Sequence, residues 1–122
     1  MKRSSSNRGN DAEDKARQWL QQQGLTFCSS NWHCRLGEID LIMKDGDTWV
    51  FVEVRYRKSR QFGGALASVT PTKQKKLMAA AGIWLSRQPQ KNIHCRFDVL
   101  GMEPTADGRV QYQWVQHAFM AS

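Results

Sequence analysis

The sequence has no long hydrophobic run. Hydrophobic residues make up 40% of its 122 residues, yet no window approaches the roughly 20 apolar residues that a membrane-spanning helix requires. The opening segment "MKRSSSNRGN" is basic and serine-rich and has no apolar segment behind it, which argues against a secretion signal. A membrane protein is therefore not expected, and the cytoplasm is the expected location.

Cysteine is also scarce. Cys28, Cys34 and Cys95 form no C-x-x-C pair, and an odd number without a secretion signal argues against a disulfide framework. "HC" occurs twice, but neighbouring side chains on a strand point to opposite faces, so each pair offers only one ligand to a common centre. Zinc is therefore disfavoured, and buried, reduced thiols are expected.

Acidic residues are fewer than basic ones. The chain has 11 Asp and Glu against 18 Lys and Arg, a net charge of +7. Such a surplus is typical of proteins that bind a polyanion, although it can also serve solubility alone. The positive charges gather in two segments, "RYRKSR" with Arg55, Arg57, Lys58 and Arg60, and "KQKK" with Lys73, Lys75 and Lys76. This clustering favours nucleic acid as the partner.

One domain is expected, because no internal repeat or linker divides the sequence and its length suffices for a single hydrophobic core. Residues 1–9 are predicted to be a flexible basic tail, and residues 10–122 the domain. Asn10 as an N-cap, with Glu13 as its capping-box partner and Gly24 as the stop, predicts a helix from about residue 11 to 23. Thr70-Pro71 predicts a second helix that ends near residue 88.

Alternation of apolar and polar residues predicts strands at 38–44, 48–56, 92–100 and 109–115. The segment 25–32 fits a strand or an irregular segment, and 57–68 is a basic, glycine-containing loop. The first two strands flank "DGD", the signal of a short hairpin loop. This order of elements predicts an α/β fold in which a mixed β-sheet is flanked by helices.

Carboxylates interrupt both strands of this hairpin, "GEIDLIMKDGDTWVFVEVR". If Asp45 and Gly46 form a two-residue turn, Asp40 pairs with Phe51, and paired residues share a face. One face then carries the charged side chains of Glu38, Asp40, Glu53 and Arg55. The other face carries the aliphatic side chains of Ile39, Leu41, Val50, Val52 and Val54.

Asp40 and Glu53 are diagonal neighbours in this register, with backbones roughly 7–8 Å apart, so both carboxylates can reach one ion. A three-residue turn would instead place Glu53 on the opposite face. Clustered carboxylates repel each other, and a hard divalent cation such as Mg²⁺ would neutralise them. Ion pairs with Arg55 and Arg57 on an exposed sheet face are the alternative.

The same residues carry a family resemblance. An acidic residue, a hairpin, and E-x-K at the end of an apolar strand form the signature of the PD-(D/E)XK nuclease superfamily. The ordered blocks "AEDKARQWL", "GEIDLIMKDGDTWVFVEVR", "FGGALASVTPTKQKKL", "CRFDVL" and "QHAF" resemble the YraN family of bacterial nuclease-like proteins. Those proteins are similar to archaeal Holliday-junction resolvases, and the resemblance covers the chain from about residue 9 onward.

The resemblance implies a restriction-endonuclease-like core and a set of metal ligands. Asp40 and Glu53 match the ligand positions for Mg²⁺, for which Mn²⁺ is the natural substitute. Glu13 matches a helix glutamate that completes the acidic site, with the capping box as its alternative role. Glu38 matches the "GEID" block, either as a ligand through water or as an ion-pair partner.

Arg55 departs from the superfamily pattern, which has lysine there. An arginine fork suits phosphate oxygens but cannot act as a base, since its pKa exceeds ~12. Lys73 lies on the apolar side of the second predicted helix and is the candidate substitute, unless it extends into solvent. The three histidines have no partner at a telling spacing, so surface or packing roles are expected for them.

The expected function is a Mg²⁺-dependent endonuclease that hydrolyses DNA phosphodiester bonds. Branched or junction DNA in repair or recombination is one candidate substrate, and the sequence leaves the preferred DNA structure open. The catalytic residues would be Asp40, Glu53, Arg55, Glu13 and Lys73. Flanking DNA would be bound by Arg57, Lys58, Arg60, Lys75 and Lys76. Cutting a symmetric junction needs two sites, which a homodimer would provide. The alternative is a non-catalytic nucleic-acid-binding protein whose degenerate site is marked by Arg55.

Overall fold

A computed structural model describes residues 8–57, 64–90 and 94–120. Its strands form one five-stranded sheet in the order β1-β2-β3-β4-β5. β3 and β4 are parallel and the other pairs are antiparallel. The elements in chain order are α1 (Arg8–Gln22), β1 (Thr26–Cys34), β2 (Gly37–Asp45), β3 (Thr48–Tyr56), α2 (Gly64–Ala67), α3 (Pro71–Ser86), β4 (His94–Pro104) and β5 (Val110–Phe119). The predicted α/β fold, a mixed sheet flanked by helices, is confirmed.

The two long helices cover opposite faces of the sheet, so two half-cores share its strands. α1 buries Ala16 and Leu20 against the face formed by Leu41, Met43, Val50, Val52, Leu100 and Met102. α3 buries Leu77 and two alanines against the face formed by Ile39, Ile42, Trp49, Phe51, Phe97 and Val99. β2 to β4 therefore lie between two apolar layers, and a charged side chain on them needs a specific partner.

The hairpin register differs from the predicted one by two residues. Asp45 pairs with Thr48, so the turn consists of Gly46 and Asp47, and Ile42 pairs with Phe51. Gly46 is the first turn residue and has φ 62°, a conformation that glycine adopts without a steric penalty. A shift by two residues keeps the alternation of faces, so the residues paired between 41–45 and 48–52 keep their predicted faces.

Ile39 departs from the predicted grouping. It was expected beside Leu41, but it packs with Phe51 on the α3 face. The pairing of β2 with β3 reaches only Leu41 and Val52. β2 therefore separates from β3 at Asp40, and the local irregularity turns Ile39 to the opposite face.

The start of the first helix also differs from its prediction. α1 begins at Arg8, so Asn10 is not its N-cap and Glu13 is not a capping-box residue. α3 begins as predicted, because the Thr70 side chain accepts a hydrogen bond from the Lys73 N–H. Residues 1–7 of the predicted tail lie outside the described residues, as do Lys58 and Arg60.

The cysteines are free thiols, as expected, but they are not buried. Cys28 and Cys95 are exposed and Cys34 is half-buried. Each lies on the edge strand β1 or near a strand end, and Cys34 packs against the margin of the α3 half-core. None of the helices in the described parts of the chain is long and apolar enough to cross a membrane.

Candidate acidic site

The site forms at the point where β2 and β3 separate. The Asp40 carboxylate oxygen Oδ2 accepts a hydrogen bond from the Val54 backbone N–H at 2.9 Å. This bond satisfies a strand N–H that has lost its carbonyl partner on β2, because strand pairing has stopped at Leu41. Asp40 thereby occupies the gap between the two strands, where groups from either face of the sheet can approach it.

Glu13 and Glu53 reach Asp40 from different elements. Glu13 comes from α1, and Glu53 from β3, whose neighbouring residue Phe51 faces α3. Each glutamate lies within hydrogen-bonding reach of the Asp40 carboxyl group. Glu53 is only 3% exposed. The Oε1 atoms of Glu13 and Glu53 are buried and have no hydrogen-bond partner among the described residues.

The three carboxyl groups perturb one another. Burial, followed by the negative charge of Asp40, raises the pKa of Glu53 to about 7, against the opposing charges of Arg55 and Lys73. Burial and then the charge of Asp40 raise the pKa of Glu13 to about 7 as well. Burial also raises the pKa of Asp40, although the Val54 N–H opposes this shift. Two ionised carboxylates in contact repel, and the contact becomes a hydrogen bond only when one of them holds a proton.

Two cations flank Glu53. Arg55 Nη2 lies 3.0 Å from Glu53 Oε2, and Lys73 Nζ lies 3.9 Å from the same oxygen. Lys73 reaches the site from the first turn of α3, so it meets the acidic residues instead of extending into solvent. The two side chains are partly exposed, Arg55 at 30% and Lys73 at 32%, so both are accessible to solvent.

The structure therefore brings together the five residues that the sequence analysis grouped as catalytic: Glu13, Asp40, Glu53, Arg55 and Lys73. It does not arrange the acids as a ready ligand cage: among the described residues, no three His, Cys, Asp or Glu side chains are placed to hold one metal ion. The carboxyl groups form two contacting pairs that share Asp40.

The remaining basic residues lie outside this cluster. Lys75 and Lys76 are exposed on α3, and Arg57 is half-buried just after β3. Arg57 donates its backbone N–H to the Met102 carbonyl at 2.8 Å, which extends the pairing of β3 with β4.

His33 and Arg35 were not predicted to belong near the site. His33 Nε2 lies 2.6 Å from Glu38 Oε1, and Glu38 is close enough to the cluster to raise the pKa of Asp40 and Glu13, behind larger causes. β1 pairs His33 with Glu38. The only sequence signal for this pairing is that "HCRLGE" spaces the two residues as a tight hairpin does.

The fold and the site define a class: a small restriction-endonuclease-like α/β domain with an acidic cluster at the separation of two strands. The chain belongs to the UPF0102 family, an uncharacterised protein family whose profile matches residues 12–102. This range contains the five clustered residues, and the resemblance to YraN proteins, which are UPF0102 members, is confirmed.

Relatives align over nearly the whole chain. A UPF0102 protein of Alcanivorax borkumensis is 54% identical over 118 residues, which cover 96% of this chain and 94% of the relative. One of Nitrosomonas eutropha is 51% identical over 116 residues, covering 95% and 96%. One of Serratia proteamaculans is 50% identical over 111 residues, covering 89% and 91%.

Proposed function

We propose that this protein is a metal-dependent endonuclease that hydrolyses DNA phosphodiester bonds. The observation that carries the proposal is the convergence of Glu13, Asp40 and Glu53 at the gap between β2 and β3, with Arg55 and Lys73 beside Glu53. Buried like charges that raise one another's pKa are costly for stability, and such clusters concentrate at functional sites.

The donor set fits a hard divalent cation such as Mg²⁺ or Mn²⁺. Carboxylate oxygens are its preferred ligands, and within the described part of the chain the buried Oε1 atoms of Glu13 and Glu53 have no hydrogen-bond partner. Asp40, Glu53 and Glu13 would hold the ion, which requires the two contacting pairs to adjust around it. When bound, such an ion supplies a Lewis acid for the phosphate and lowers the pKa of a bound water.

The cationic side chains would act on the substrate directly. The Arg55 guanidinium can donate two parallel hydrogen bonds to phosphate oxygens and stabilise the charge that develops on them. A water between Lys73 Nζ and Glu53 Oε2 would accept a hydrogen bond from the ammonium group and donate one to the carboxylate. When the water oxygen attacks phosphorus, its proton would pass to the Glu53 carboxylate, and the bond from phosphorus to the leaving oxygen of the DNA strand would break, with solvent supplying the proton for that oxygen.

One observation favours a second function, a nucleic-acid-binding protein without catalysis. Arg55 is committed to an ion pair with Glu53 at 3.0 Å, and an arginine cannot take up the proton of the attacking water. In that protein the carboxylates would be a remnant, and their removal would leave DNA binding intact or strengthen it.

The deciding experiment is cleavage of linear, flapped and four-way DNA with Mg²⁺ or Mn²⁺. We expect the wild type to cut at least one of them and Asp40→Asn to lose the activity by about 100-fold or more. Asn keeps an oxygen that can accept the Val54 N–H, so this variant separates catalysis from folding.

Asp47→Asn is the matched control, because Asp47 is an exposed acid in the hairpin turn of the same two strands. It should cut like the wild type. Absence of Asp40-dependent cutting on every substrate with both metals would contradict the endonuclease proposal.

A further inference from the structure

A groove next to the acidic site has no assigned role. It lies between the tight β1–β2 turn and the start of α3, and its polar lining comes from His33, Arg35, Glu38, Lys73 and Lys76. Leu36 forms part of the same wall and is 40% exposed. Three of these side chains carry a full positive charge and one a negative charge, so the groove is cationic.

The turn is held against α3 by close backbone packing at Gly37. A Cβ atom at this position would lie 3.1 Å from the Lys76 carbonyl oxygen and 3.4 Å from the Lys76 Cβ. Only glycine permits this approach without displacement of one side. It places Arg35 on the β1–β2 turn opposite Lys76 on the helix, on two walls of one groove.

The groove is continuous with the acidic site through two residues. Lys73 lines the groove, and its Nζ lies 3.9 Å from Glu53 Oε2. Glu38 also lines the groove, and its Oε1 lies 2.6 Å from His33 Nε2. The negative charge of Glu38 contributes to the raised pKa of Asp40. An anionic strand lying along the groove would therefore end at the carboxylate cluster.

We propose that this groove is a phosphate-binding track for the nucleic-acid backbone on one side of the site, with Arg35 and Lys76 as its contacts. The inference rests on the proposed function in taking nucleic acid as the ligand. Lys and Arg side chains on two facing walls can contact successive phosphates. Such phosphate contacts position the strand without reading its base sequence. The track therefore predicts binding that is independent of base sequence.

The test measures DNA binding in the Asp40→Asn protein with chelator present, so that cleavage does not enter. Fluorescein-labelled four-way junction and linear duplex are titrated by anisotropy at several salt concentrations. The slope of log affinity against log salt is negative, and each lost phosphate contact reduces its magnitude by about 0.9. Arg35→Ala and Lys76→Ala should each show this decrease, and Lys76→Ala keeps the Cβ that packs against Gly37.

Lys15→Ala and Arg109→Ala are the controls. Both residues are exposed, on α1 and next to β5, and neither lines the groove, so both should keep the wild-type slope. Unchanged slopes in Arg35→Ala and Lys76→Ala, or no binding by the parent protein, would overturn the inference. Reduced slopes from a protein that never cuts DNA would support the track and reject the nuclease.

Discussion

At the scale of single residues, the acidic site is a balance between burial and charge. Glu53 is almost fully buried: one carboxylate oxygen faces two cations, and the other has no donor in the segments that the structure describes. Glu13 has a similar orphaned oxygen. A stable fold tolerates such groups when one of them is protonated or when a cation joins them, because either change removes the repulsion.

This balance predicts that stability falls with rising pH in the absence of metal. The pKa values of Glu13 and Glu53 are about 7 in the folded protein, against an ordinary value of 4.5. Between these values the folded state holds protons that the unfolded state has released, so raising the pH favours unfolding. The stabilisation that comes from protonated Glu13 and Glu53 is fully present below pH 4.5 and is lost as the pH rises through about 7. Urea denaturation in chelator at several pH values measures it.

Glu53→Gln removes one titrating group and gives Asp40 an amide donor. It should therefore be more stable than the wild type above pH 7, by about 1–2 kcal/mol, and should show a flatter pH dependence. Asp47→Asn alters an exposed acid and should follow the wild-type curve. A wild-type stability that rises steadily from acidic to alkaline pH would contradict the shifted pKa values.

At the scale of elements, turns and strand ends decide where the functional side chains lie. The Gly46-Asp47 turn sets the register of β2 and β3, and the loss of pairing beyond Leu41 opens the gap that Asp40 fills. The tight packing of Gly37 on α3 fixes the neighbouring turn. Small local features thus place the acidic site and the groove beside each other.

Two glycines that differ in their surroundings test this role of Gly37. Gly37→Ala should lower the free energy of unfolding by about 1 kcal/mol or more, because the added Cβ meets the Lys76 backbone. Gly82→Ala should raise it by about 0.5–1 kcal/mol, because Gly82 lies in α3 with open space around it. Thermal and urea denaturation of both variants measure the difference, and changes of the same sign would contradict the packing argument.

At the scale of the whole molecule, the site depends on both faces of the sheet. Glu13 belongs to α1 on one face and Lys73 to α3 on the other. Glu13 reaches Asp40 and Lys73 reaches Glu53 at one site because the gap at Asp40 passes through the sheet. The two half-cores share β2, β3 and β4, so neither helix can be positioned independently of the sheet.

This sharing predicts a single cooperative unfolding transition. Leu20→Ala and Leu77→Ala each remove a buried side chain, from the α1 and the α3 half-core respectively. Each should cost about 2–5 kcal/mol, and together they should shift one transition by nearly the sum. Tryptophan fluorescence and circular dichroism should report the same midpoint in urea.

Met120→Ala is the control, because Met120 is 74% exposed and should change stability by less than about 0.5 kcal/mol. Two separate transitions, each moved by only one of the leucine variants, would show that the half-cores unfold independently.

The sequence by itself determined the class of fold, the two long helices, four of the five strands and the residues that cluster at the site. Alternation and turn signals located β3 at Thr48–Tyr56 and the start of α3 at Pro71, because these patterns are local. The expected grouping of Asp40 with Glu53 depended on the parity of the hairpin. A register error of two residues left that parity unchanged as far as the last pair, Leu41 with Val52, but Asp40 lies beyond this pair.

Only the tertiary structure decided how residues from distant segments meet. The turn of Ile39 to the α3 face, the Asp40 bond to Val54 and the approach of Glu13 from the opposite layer depend on where two strands stop pairing. The groove depends on a helix packing against a turn 39 residues earlier in the chain, Lys76 against Gly37. Long-range packing selects such contacts, and spacing along the chain carries no signal for them.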